Sequence, residues 1–234
     1  MSRLAAALLC SVLLAAGPME RRPHLQGFLD QGSFVITRDG EEIGREEFAI
    51  RPVAGSRGAG GVLAVATVRY RDRELRAALE LTRDHVPVSY QLDITAAGRA
   101  VQRLTGQFGR DRFSVRIVTP AREIAREFPV PPAAVVLDDD VFDQYYFFVP
   151  VASGAAERIA VVRPRQAALV TAELRSLGPD TVVVAGRRAA AVHYLVTLPG
   201  DDRREFWCSP SGGLLKAALP AGGIVATRLS LPPR

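Results

Sequence analysis

The chain has 234 residues, is 48% hydrophobic and carries 30 basic against 25 acidic side chains, a formal net charge of +5. That length suits one large or two small domains with a sizeable core. All the basic residues but Lys216 are arginines, spread along the chain mostly beside acids; no basic run is interleaved with aromatics, which argues against nucleic acid as a partner.

In chain order, the first expected element is a secretory signal over residues 1–17. Arg3 gives a short positive start, Leu4 to Ala16 form an apolar stretch, and Ala15-Ala16-Gly17 offers small residues for cleavage. The apolar stretch is too short to cross a bilayer, so no transmembrane span is expected in the mature chain. Cys10 follows Leu9, not the small residue of a lipid-attachment motif, and is read as part of the removed signal. Cys208 then stands alone, without a disulfide partner. The expected compartment is the periplasm or cell envelope of a bacterium.

Residues 18–234 read as a single antiparallel β domain. Ser33–Arg38 and Glu41–Arg51 flank Asp39-Gly40, a strong hairpin signal because glycine adopts positive φ without cost. A meander follows. Val62, Ala64, Ala66, Val68 and Tyr70 alternate with other residues; Leu75, Ala77, Leu79 and Leu81 do the same, as do Val88, Tyr90, Leu92 and Ile94. Period-two alternation predicts strands with one face buried and the other wet. Further strands are expected near residues 100–108, 112–119 and 121–128. Beyond the centre they are expected at 157–163, 166–174, 181–185, 188–198, 203–208, 214–219 and 224–231. The fold class expected is mostly β, a single large curved antiparallel sheet or half-open barrel of about 11–13 strands with one short central helix.

That helix is expected near 139–148. Asp138, Asp139 and Asp140 read as capping residues suited to its positive end, and Val141, Tyr145 and Phe148 fall at helical spacing. Five aromatics, Phe142, Tyr145, Tyr146, Phe147 and Phe148, crowd into this stretch and must be buried against something large. Asp138, Asp139 and Asp140 also offer hard oxygen ligands for a divalent cation, but without a calcium-loop pattern; capping is the simpler reading, and no metal is expected.

The order of export signal, long meander, central helix and further strands resembles uncharacterised bacterial exported proteins similar to lipoprotein-localisation carriers. Gly32-Ser33-Phe34 to Ile50-Arg51 looks like that family's opening hairpin, and Phe206-Trp207 through Leu214-Leu215 like a late one. The resemblance implies a half-open β-barrel with helices over a concave apolar face that holds acyl chains.

No linear motif unites a nucleophile, a base and an orienting acid, so no catalytic residue and no cofactor is assigned. His85, in the turn Asp84-His85-Val86-Pro87, reads as solvated. Two functions are expected. One is carriage of an apolar, lipid-like ligand between sheet and helix, with Phe142, Tyr145, Tyr146 and Phe148 lining the pocket. The alternative is a structural or partner-binding envelope domain whose aromatics fill the core.

Overall fold

The computed structural model describes residues 27–54, 60–152 and 156–232. The expected signal and its cleavage site lie outside them. The described chain forms one curved sheet of 15 strands. Before the centre come β1 (Asp30–Arg38), β2 (Glu41–Val53), β3 (Gly61–Tyr70), β4 (Arg73–Thr82), β5 (Pro87–Ala96), β6 (Arg99–Phe108), β7 (Arg112–Val118), β8 (Glu123–Pro129) and β9 (Val135–Val136). A 3₁₀ segment, η1 (Asp143–Val151), follows. Then come β10 (Glu157–Arg163), η2 (Pro164–Gln166), β11 (Ala168–Val184), β12 (Arg187–Leu198), β13 (Asp202–Cys208), β14 (Leu214–Leu219), η3 (Pro220–Gly222) and β15 (Ile224–Arg228).

The spatial order runs from β8 back to β1, then from β15 back to β9. The first and last long strands therefore meet in the middle of the sheet, as Phe34 opposite Arg228 and Arg38 opposite Ile224. Every pairing is antiparallel except the short one between β9 and β10.

The expected class is the observed one, with more strands. The two strands expected over 166–174 and 181–185 are one, β11, whose pairing with β12 shifts register between Ser176 and Gly178. β9, two residues long, is too short to show a period.

Alternation places Val62, Ala64, Ala66 and Val68 of β3 and Leu75, Ala77, Leu79 and Leu81 of β4 on the buried face, where one continuous apolar core forms. Asp39 and Gly40 both have positive φ, 50° and 86°, the mirror-image turn whose twist suits a tight hairpin. Gly106 is required for packing rather than for its backbone angle. A Cβ there would lie 2.5 Å from the Phe113 ring, which instead lies over the bare backbone.

A second, smaller cluster lies apart from this core. Val182 and Val184 of β11 and Ala191 of β12 pack with Trp207 of β13 and with Leu215 and Ala218 of β14. The indole N–H of Trp207 donates to Asp180 at 2.7 Å, and His193 stacks on its ring at 4.2 Å.

Candidate functional site

The core is closed by the chain itself. Residues 137–151 lie against the buried face of the sheet as a plug. Its η1 part is 3₁₀ rather than the α-helix expected, and it starts later, after the aspartates. Pro150 inside it has no N–H to donate, and nine residues of 3₁₀ helix rise about 18 Å, further than the same number in an α-helix.

The aspartates do not cap it. No side chain caps η1 from Phe142. Instead Glu46, fully buried on β2, accepts the backbone N–H groups of Phe142 and Asp143, each at 2.7 Å. A strand 96 residues earlier supplies the cap, because the sheet's curvature brings β2 over the start of η1.

Each aspartate meets arginine. Asp138 is buried; one of its carboxylate oxygens accepts from the Tyr90 hydroxyl at 3.1 Å and the other is ion-paired with Arg165. Its backbone N–H donates to the side-chain carbonyl of Gln144 at 2.6 Å. Asp139 pairs with Arg163 and with Arg204, the latter at 2.8 Å. Asp140 accepts from both terminal nitrogens of Arg165 at 3.0 Å and from Tyr70 at 3.3 Å. These arginines come from η2, β10 and β13, elements that follow the plug in sequence; Asp140 also pairs with Arg73 of β4, at 3.4 Å.

These partners set the ionisation of the site. Burial raises the Asp138 carboxyl, and Arg165 works against it. At Asp139 burial also opposes ionisation, yet Arg204, Arg163 and Arg165 together bring the carboxyl below its ordinary value. Burial and then Asp138 push the Tyr90 hydroxyl well up, so it stays a donor. Among the described residues no group of three His, Cys, Asp or Glu side chains is arranged to hold a metal ion. The carboxylates that would have been ligands are engaged by guanidinium groups.

A different environment surrounds the start of η1. Asp143 is buried, and one of its carboxylate oxygens has no hydrogen-bond partner among the described residues. Burial, with Asp30 nearby, pushes its carboxyl up to about 7. Burial and then Asp143 raise Glu46 well above its usual range. Asp30 itself is neutralised by Arg228: two hydrogen bonds of 2.9 and 2.8 Å join these wholly buried groups. The Arg228 guanidinium also donates to the Leu214 carbonyl and lies against Gly32, where a Cβ would meet it at 2.9 Å.

The aromatic residues named from the sequence are brought together, and most are buried outright. Phe142, Tyr145, Phe147 and Phe148 are almost without exposure; Tyr146 is half-buried. Tyr145 and Phe148 pack on each other at 5.8 Å and both meet Phe206 of β13, at 5.5 and 6.0 Å. Tyr194 of β12 stacks on the same Phe206 at 4.9 Å. Phe147 turns the other way and meets Tyr146 at 5.2 Å and the edge of His85 at 5.6 Å. His85 is therefore not the solvated turn residue expected. It is half-buried against the plug, and burial lowers its pKa.

Glu46, Gln144, Arg165, Arg204, Asp30 and Arg228 were missed. Glu46 carried a weak signal: it sits at an inward position of an amphipathic strand, between Gly44 and Phe48, where an acid demands a partner.

No protein-family model matches the chain, and no curated protein matches it. A solved structure does. It is the crystal structure of a beta-barrel-like protein of Domain of Unknown Function DUF1849 from Brucella abortus. It is 10% identical to this chain, with a TM-score of 0.51, and the match covers 85% of this chain and 94% of that one. At that identity the likeness is one of fold.

Proposed function

We propose that this protein is a non-enzymatic, exported domain of the bacterial cell envelope whose barrel centre is occupied by its own chain, and that it acts by binding partners through its outer surface and rims. The observation that carries this reading is the burial of Phe142, Tyr145, Phe147 and Phe148 against the sheet, with Phe206 and Tyr194 completing the stack. An apolar ligand of the interior would have to take the place these rings hold. The ion pairs of Asp138, Asp139 and Asp140 support the same reading, since a plug made to leave would have to break several buried contacts at once. Export rests on Arg3 and the apolar run Leu4–Ala16. Kinship with lipoprotein-localisation carriers is kept at the level of the half-open barrel.

Two measurements test this. Phe148→Ala should cost about 3–5 kcal/mol in denaturant unfolding, as expected for a filled centre. The unaltered protein should bind no fluorescent fatty-acid probe at its centre. Saturable central binding, with little stability lost in Phe148→Ala, would instead favour a carrier of apolar ligands with Tyr146 at the pocket edge. For export, the mature protein isolated from envelope should begin between about residues 17 and 24; recovery with Met1 intact would count against it.

A further inference from the structure

One rim of the barrel carries a cleft that the plug does not fill. It measures 430 Å³ and is walled by Leu29 before β1, Pro52 and Val53 at the end of β2, Gly61 and Val62 at the start of β3, and the β4–β5 turn with Arg83 and His85. A volume of this order is that of a small-ligand site. Leu29, Pro52, Val53 and Val62 give it apolar walls, and Leu29 is 45% exposed.

Two features set this cleft apart from an ordinary gap between strand ends. The first is His85. Its φ is +60°, a left-handed value that costs a non-glycine residue free energy. The turn is held there by Thr82, whose carbonyl accepts the His85 N–H at 3.0 Å and whose hydroxyl accepts the Val86 N–H at 3.1 Å. This conformation lays the imidazole on Phe147 and makes it the partition between cleft and plug. The second is Arg83. It lines the cleft and among the described residues makes no ion pair, so its guanidinium is open to an anion held there. The nearest acid in the turn, Asp84, acts on His85.

We infer that this rim cleft binds a small apolar monocarboxylate, its hydrocarbon part against Leu29, Pro52, Val53 and Val62 and its carboxylate on the Arg83 guanidinium. The planar fork of arginine matches a carboxylate with two parallel hydrogen bonds, and the apolar walls suit a hydrocarbon tail. His85, its pKa lowered, is neutral in this setting and adds a polar edge without a second charge. The plug need not move for the cleft to fill, so this site stands apart from the proposed role of the barrel centre.

The test is a titration of the full protein with octanoate, followed by methyl NMR, with octan-1-ol as the uncharged control. Saturable shifts are expected at Leu29, Val53 and Val62 and not at Val161 or Leu174 in the interior. Arg83→Gln should weaken octanoate about fivefold, an exposed guanidinium being partly screened, and leave octanol unchanged. Leu29→Glu, also at an exposed position, should weaken both. Octanol binding as tightly as octanoate, or an Arg83→Gln variant with unaltered affinity, would overturn the carboxylate assignment. Absence of saturable shifts at the cleft would overturn the site. Shifts at Val161 and Leu174 would overturn the filled-centre reading while leaving the cleft to be judged by its own methyls.

Discussion

Two neighbouring stretches at the start of the plug are fastened by opposite means. At Asp138–Asp140, acids meet arginines carried by η2, β10, β13 and β4. At the start of η1, two acids lie close together, and the groups that satisfy Glu46 are backbone N–H donors rather than cations. Asp138 and the start of η1 are both buried, yet at Asp138–Asp140 arginines work against the desolvation of the acids, whereas at Glu46 and Asp143 no cation does and charge is suppressed. A buried carboxyl is governed by what faces it: a guanidinium offsets its desolvation, whereas a second carboxyl adds to it. The same segment is thus held by ion pairs where it enters the barrel and by a carboxyl cap that favours a bound proton where it turns into η1.

Breaking the arginine-paired stretch should have the largest effect. Arg165→Met leaves Asp138 buried without its ion pair and strips Asp140 of two hydrogen bonds; a loss of about 3–5 kcal/mol is expected in urea unfolding. Adding Asp138→Asn should recover a substantial part, because the uncompensated charge goes with it. If the double variant is no more stable than the single one, the pair is not acting through charge.

The cation-poor stretch at the start of η1 should respond with the opposite sign. The folded Asp143 carboxyl, at about 7, lies above its value in the unfolded chain. Its contribution to stability is therefore fully present below the ordinary carboxylate pKa and is lost as pH rises through about 7. Asp143→Asn removes that dependence. It should raise stability by about 2–3 kcal/mol at pH 8, with a gain that shrinks steadily between pH 7 and pH 4. Thermal unfolding across that range reads it directly, and a gain independent of pH would refute the carboxyl-pair account.

The smallest effect sharpens the contrast. Asp139 is partly exposed and its pKa is depressed, so its contribution is present above the ordinary carboxylate value and lost as pH falls through its lowered one. Asp139→Asn should cost at most about 1 kcal/mol at pH 7, since solvent screens the pair, and nothing in strong acid. The two substitutions, Asp139→Asn and Asp143→Asn, should therefore change the pH profile in opposite directions. Parallel profiles would show that the two stretches do not differ as described.

Much of the architecture was legible in the chain. Alternation in β3, β4 and β5 identified their buried faces, because side chains on a strand point to opposite sides with period two. Asp39-Gly40 announced its hairpin through the positive φ that glycine permits. The crowded aromatics from Phe142 to Phe148 signalled burial, and four of the five are buried outright. What tertiary structure alone decided is how the plug is held. Glu46 lies 96 residues before its Phe142 partner, and Arg204 lies 65 residues after Asp139. Nothing local predicts such pairs, since they exist only once a curled sheet brings distant strands together. The aspartates read as caps because capping is a local interaction that a short window can suggest. In the folded chain, arginines took those carboxylates first, Arg163, Arg165 and Arg204 from the far half of the sheet and Arg73 from the near half, and the N–H groups at the start of η1 were met by Glu46 of β2.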